Sequence, residues 1–202
     1  KNLIKLIEIV VLGVLFPVSV VYFSLSNYIL LFLWIIFFYA SIIYFTLYYE
    51  KSSLKELFKL RKHKKYIFLI IFRWFILCIV LYQFTKFFFP NRLFLLQKEN
   101  IELLYKIFIF YPIFSAFPQE FIFCLFFFKR YRSLFKSEKK MIIMSSLIFC
   151  FAHIFTINWV APLLGIFGGF LFAITYSKTK SLFLVSCEHA LYGNTLFFLG
   201  LG

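Results

Sequence analysis

Residues 117–128 read FPQEFIFCLFFF, an apolar run with a single carboxylate, Glu120, inside it. The run belongs to a longer apolar segment at about 104–128, and a helix needs roughly 20 such residues to cross a bilayer. Further segments of this kind lie at about 6–25, 28–49, 66–89, 141–157, 160–177 and 181–200. The fold class expected is all-α: a polytopic transmembrane helical bundle of about seven spans, read as a single integral membrane domain over 1–202. The span at 141–157 is short, so it tilts little or ends at mid-depth. No small-residue cleavage site follows the first span, which argues against a signal peptide. The chain starts at Lys1, not Met, and ends at Gly202 in an apolar run, so part of the native protein is expected to be missing at one or both ends.

Composition points the same way. The chain has 202 residues, 63% hydrophobic and 25% aromatic, with mean hydropathy +0.93. A soluble fold of that size leaves too much surface exposed to hide so much apolar area. The 22 Lys and Arg outnumber 8 acids, all of them Glu. They do not form a nucleic-acid footprint, because they gather in short stretches between apolar runs. With a cytoplasmic N-terminus, 17 of the 22 fall on the inner side and only Lys86, Arg92, Lys98 and Lys106 on the outer side, with Arg73 inside the third span. This alternation follows the positive-inside rule and supports an odd number of spans. The segment 51–66, KSSLKELFKLRKHKKY, reads either as an amphipathic helix on the inner leaflet or as a plain topogenic loop. Cys78, Cys124, Cys150 and Cys187 show no paired spacing and read as buried thiols.

A charge at mid-bilayer costs roughly 2.5–3.5 kcal/mol on conservative scales, so such groups face a cavity or a partner. Glu120 lies nine residues before Lys129 and His189 nine after Lys180, each about 13 Å from the basic boundary at about 1.5 Å per residue. His153, thirteen residues after Lys140, lies roughly 20 Å deep on the same scale. Each alone fits a hydrogen bond between helices. Together, one Glu and two of the three His converge at one depth on three helices, which suggests a shared site. Pro118 frees a carbonyl one turn back and bends its helix. Glu188, beside His189, points about 100° away and is expected to orient a histidine or to pair with a basic residue.

Such a set supports two routes to peptide hydrolysis. Glu120, His153 and His189 can hold a metal, zinc being the candidate, with one position open for water. Without a metal, the carboxylate can act as general base, while the second His and the Asn194 amide stabilise an oxyanion. Neither Ser nor Cys is placed as a nucleophile with a base and an orienting group.

At these residues the chain resembles the CPBP group of intramembrane proteases, which includes type II CAAX prenyl endopeptidases and bacteriocin-processing or self-immunity, Abi-like proteins. Its motifs are EExxxR, FxxxH and HxxxN or HxxxD. Here they read QEFIFC at 119–124, FCFAH at 149–153 and HALYGN at 189–194. PQEFIFCLFFFKRY and EHALYGNTLFFLGLG are similar to a bacterial branch, and the resemblance covers about 105–202. It implies a helical bundle with the site inside the membrane, Glu120 and His153 activating water, and His189 with Asn194 binding the oxyanion. It implies a membrane-associated or lipid-linked peptide substrate and a bacterial inner-membrane location; many members are labelled metalloproteases, and a metal-free glutamate mechanism has also been proposed. Three departures stand out: Gln119 replaces the first Glu, Cys124 the Arg, and Gly193 takes the last motif position, with Asn194 one residue on. The competing readings are a catalytically degenerate immunity or scaffold protein and, more remotely, a transporter, which would call for inverted repeats that the chain lacks. The Gly165/Gly169 spacing reads as helix packing.

Overall fold

Lipid offers no partners to backbone N–H and C=O groups, so a chain this apolar has to satisfy them within helices. The computed structural model describes residues 2–49, 64–154 and 160–202 and is helical throughout, with no strand among the described residues. Among the described residues six helices are long and apolar enough to cross a membrane: α1 Asn2–Tyr22, α2 Ser26–Leu47, α3 Lys64–Phe88, α4 Ile101–Arg130, α6 Val160–Thr179 and α7 Leu182–Leu199. Between α4 and α6 lies α5, Glu138–Phe151, which at 14 residues is too short to count with these six; it covers much of the segment read as a short seventh span, whose residues 155–157 lie outside the described residues. Most of the amphipathic candidate at 51–66 lies outside the described residues, with 64–66 opening α3. Phe68, Phe75, Ile42 and Phe167 are more than half exposed, as lipid-facing side chains would be.

The two ends of the bundle are built differently. At one end, Arg130 at the close of α4 holds Glu8 of α1 at 2.7 Å, and Tyr131 donates to the same carboxylate at 2.9 Å. Lys180, between α6 and α7, meets Glu138 at the start of α5 at 3.3 Å. This end therefore collects the basic residues that flank four helices. At the other end, Gln97 donates to the Phe198 carbonyl at 2.7 Å. There α7 stops at Gly200, whose φ of +82° and close approach to the Arg92 carbonyl leave no room for a side chain.

Small residues set the closest helix contact. A Cβ on Gly169 would meet Phe149 at 3.0 Å, and one on Gly165 would meet His153 at 3.5 Å. Two residues four apart on α6 thus receive two residues four apart at the end of α5, which is the helix packing expected of that spacing.

α4 is the irregular element. Two π-helical segments, Pro112–Ala116 and Phe121–Phe126, interrupt it. Pro112 and Pro118 lack the N–H that would serve the carbonyl four residues back. Those carbonyls find side chains from other helices: Phe108 accepts from Asn194 of α7 at 3.4 Å, and Phe114 from Trp34 of α2 at 3.1 Å. Ser145 of α5 donates to the Phe123 carbonyl in the second π segment at 2.7 Å. The bend in α4 is therefore held by three neighbours.

Candidate active site

Consecutive residues on a helix point about 100° apart, and this separates Gln119 from Glu120. Gln119 faces an internal cavity of about 500 Å³, whereas Glu120 turns toward α7 and is fully buried. Glu120 Oε1 lies 2.7 Å from His189 Nδ1. The contact joins α4 to α7 and fixes the ring, because a carboxylate beside Nδ1 sets that nitrogen as the donor and turns Nε2 toward the cavity. Phe172 stacks on the imidazole at 4.6 Å between centroids, and Phe149 meets it edge-on at 5.6 Å.

On α7 the cavity face is His189, Tyr192, Gly193, Leu196 and Phe197, the three-and-four spacing of a single helix face. Asn194 is absent from that face. Its amide instead serves the Phe108 carbonyl, so the one-residue offset from the motif places it at the helix clamp. His153 reaches the cavity from the end of α5, with Nδ1 2.8 Å from the Phe149 carbonyl. The structure thus brings His189 and His153 to the lining of one cavity and leaves Asn194 outside it. Glu120 stands behind His189, and no carboxylate is among the described lining residues.

Among the described residues no group of three His, Cys, Asp or Glu side chains is arranged to hold a metal ion. Glu120 Oε1 lies against His189 Nδ1 and supports that ring from behind.

Two residues at the site carried no motif. Tyr111 places its hydroxyl 3.0 Å from His189 Nε2 and lines the cavity. Arg73 of α3 pairs with Glu188 at 2.9 Å and also donates to Thr175 of α6 at 3.0 Å. Tyr192 donates to the same Glu188 carboxylate at 2.8 Å. Glu188 is fully buried, and this pairing settles its role as the partner of a cation on another helix. Arg73 was findable, since it lies eight residues after Lys65 and Glu188 eight after Lys180, which puts them at equal depth. The only sign of Tyr111 is Gly193, whose missing side chain makes room for its ring.

Six apolar helices around a cavity that presents two imidazoles, one backed by a buried carboxylate, define an integral membrane protein with a polar site within an apolar bundle. Residues 101–194 match the family model described as type II CAAX prenyl endopeptidase, Rce1-like, and this segment is similar to the CPBP intramembrane proteases. No curated protein and no solved structure matches the chain significantly.

Proposed function

We propose that the protein is an intramembrane endopeptidase that hydrolyses peptide bonds of membrane-associated substrates with water activated inside the cavity. The observation that carries this reading is the 2.7 Å Glu120–His189 pair at the end of a cavity that also receives His153. His153, with Nδ1 at the Phe149 carbonyl, takes a proton from the attacking water. The water oxygen bonds to the carbonyl carbon, and the carbonyl electron pair moves to oxygen. His189 lies on the side where that negative charge develops, and Glu120 balances the ring. Collapse of the intermediate breaks the C–N bond, and the proton held by His153 passes to the amine. Glu120 acts through His189 in this scheme. The apolar lining suits an extended peptide segment or an attached lipid chain. The basic end of the bundle faces the cytoplasm of a bacterial inner membrane, consistent with the charge distribution.

One observation favours a second reading. Gln119, the cavity-facing member of the pair, carries an amide where the motif has a carboxylate, as expected of a degenerate immunity or scaffold protein that binds a membrane partner without cutting it. The deciding experiment is cleavage of membrane-tethered peptides by the purified protein, with Glu120→Gln and His153→Ala alongside, each with and without a chelator. Cleavage by the wild type and none by the folded variants is the expected result. A folded wild type that cuts nothing, or variants that cut as well as it does, would sink the protease reading. The chelator arm decides whether zinc takes part.

A further inference from the structure

We infer that Tyr111 is a catalytic residue of this site, the donor that meets the carbonyl oxygen as it becomes an oxyanion; this rests on the protease reading above. The Tyr111 hydroxyl lies 3.0 Å from His189 Nε2, and His189 Nδ1 lies 2.7 Å from Glu120 Oε1. Carboxylate, imidazole and phenol therefore form one line that ends at the cavity. Tyr111 lines the cavity, so its hydroxyl is the polar group of this line that a bound carbonyl meets first.

The seat of the ring supports this role. A Cβ on Gly193 would run into Tyr111 Cε1, Cζ and hydroxyl, so the ring fills the space above His189 that any other residue at 193 would take. Phe197 meets the ring edge-on at 5.2 Å and His189 does so at 5.9 Å. Tyr111 also immediately precedes Pro112 and the first π segment of α4, the kind of local irregularity that recurs at functional sites. A ring fixed on three sides holds its hydroxyl without reorganisation, and in a lining dominated by Phe, Leu and Ile a fixed donor is worth more than in water. Packing alone would be met by phenylalanine, so the hydroxyl is the part that needs a reason. During addition of water, the carbonyl oxygen accepts from the Tyr111 O–H, with the phenolic oxygen held against His189 Nε2. No bond to Tyr111 forms or breaks, and the donor is released when the C–N bond breaks.

The test uses the full chain in lipid nanodiscs with a membrane-tethered peptide. Tyr111→Phe keeps the ring and removes the donor. It is expected to lower kcat by about 10²- to 10³-fold, as loss of one oxyanion donor does, with KM within about threefold. Gly193→Ala pushes a methyl into the ring and is expected to lower kcat in the same direction. Affinity for a phosphonate analogue of the peptide, whose tetrahedral oxygens imitate the oxyanion, should fall in Tyr111→Phe. Affinity for the same peptide with a reduced CH₂–NH bond should hold, which also reports that the variant is folded. Equal kcat and equal phosphonate affinity in Tyr111→Phe and wild type overturn the role of Tyr111 and leave the protease reading standing. Failure of folded wild type to cut any peptide overturns both.

Discussion

Asn194 and Gly193 show how far one residue of offset reaches. The motif places an amide four residues after the histidine, on its own helix face. In this chain that position is glycine, and the amide one step on points to the Phe108 carbonyl that Pro112 leaves without an N–H. Asn194→Ala is therefore expected to cost about 1 kcal/mol of stability, the usual worth of one such bond, and to change kcat less than about threefold; a melting curve and a rate read the two effects separately. A hundredfold loss of rate in a variant with normal stability would return Asn194 to the oxyanion. The sequence marked Glu120, His153 and His189 as a shared site because their depths agree. It did not show that Glu120 would stand behind His189, because side-chain direction on α4 depends on two π segments, which change the rotation per residue locally.

At the level of elements, the helices meet where side chains are small or where a buried charge finds its partner. Gly169 is in tight contact with Phe149, whereas Gly165 has ordinary spacing to His153. Gly169→Leu should therefore unfold the α5–α6 contact and lower thermal stability in detergent strongly, while Gly165→Ala should be close to neutral. If both are tolerated alike, α5 and α6 do not pack through this face. Arg73 and Glu188 tie α3 to α7 at 2.9 Å. Arg73→Met alone should destabilise by about 3–5 kcal/mol, since it leaves a buried carboxylate uncompensated, and Arg73→Met with Glu188→Met should recover most of that loss. At the basic end, the Lys180 ammonium beside Glu138 holds its carboxyl below the usual carboxylate range. A lowered pKa means that the pair stabilises the fold above the ordinary carboxylate pKa and that this is lost as pH falls through the lowered value. Because both side chains are about half exposed, the effect is small and salt-sensitive. Glu138→Gln should flatten the acid limb of the melting temperature against pH.

For the whole molecule, the question is which end faces which compartment. The end that gathers Lys5, Arg130, Lys136 and Lys180 should face the cytoplasm, and the end with Gln97 and Gly200 the opposite side. Single cysteines at Lys136 and Gln97, in a background where the four native cysteines (Cys78, Cys124, Cys150, Cys187) are replaced, should react with a membrane-impermeant thiol reagent from opposite faces of a vesicle. Labelling of both from one face would remove the topology.

The sequence by itself determined that the chain is a bundle of apolar helices and led to the expectation that most of its basic residues gather on one side. That follows because a bilayer accepts only backbone that is internally hydrogen-bonded and because charge resists crossing it. It also determined the depth of the polar groups, since rise per residue is fixed; that is why Glu120 and His189, each nine residues from the basic boundary, are in contact. Rotation was decided only in the tertiary structure. The prolines and π segments of α4, the glycines of α6 and the Arg73–Glu188 pair set the angle at which each helix presents its side chains. They turn Gln119, Tyr111, His153 and His189 into the cavity and leave Glu120 behind the imidazole and Asn194 at the helix clamp. Those angles arise from contacts between residues far apart in the chain, such as Trp74 with Thr195, 121 positions on, and no local spacing encodes them.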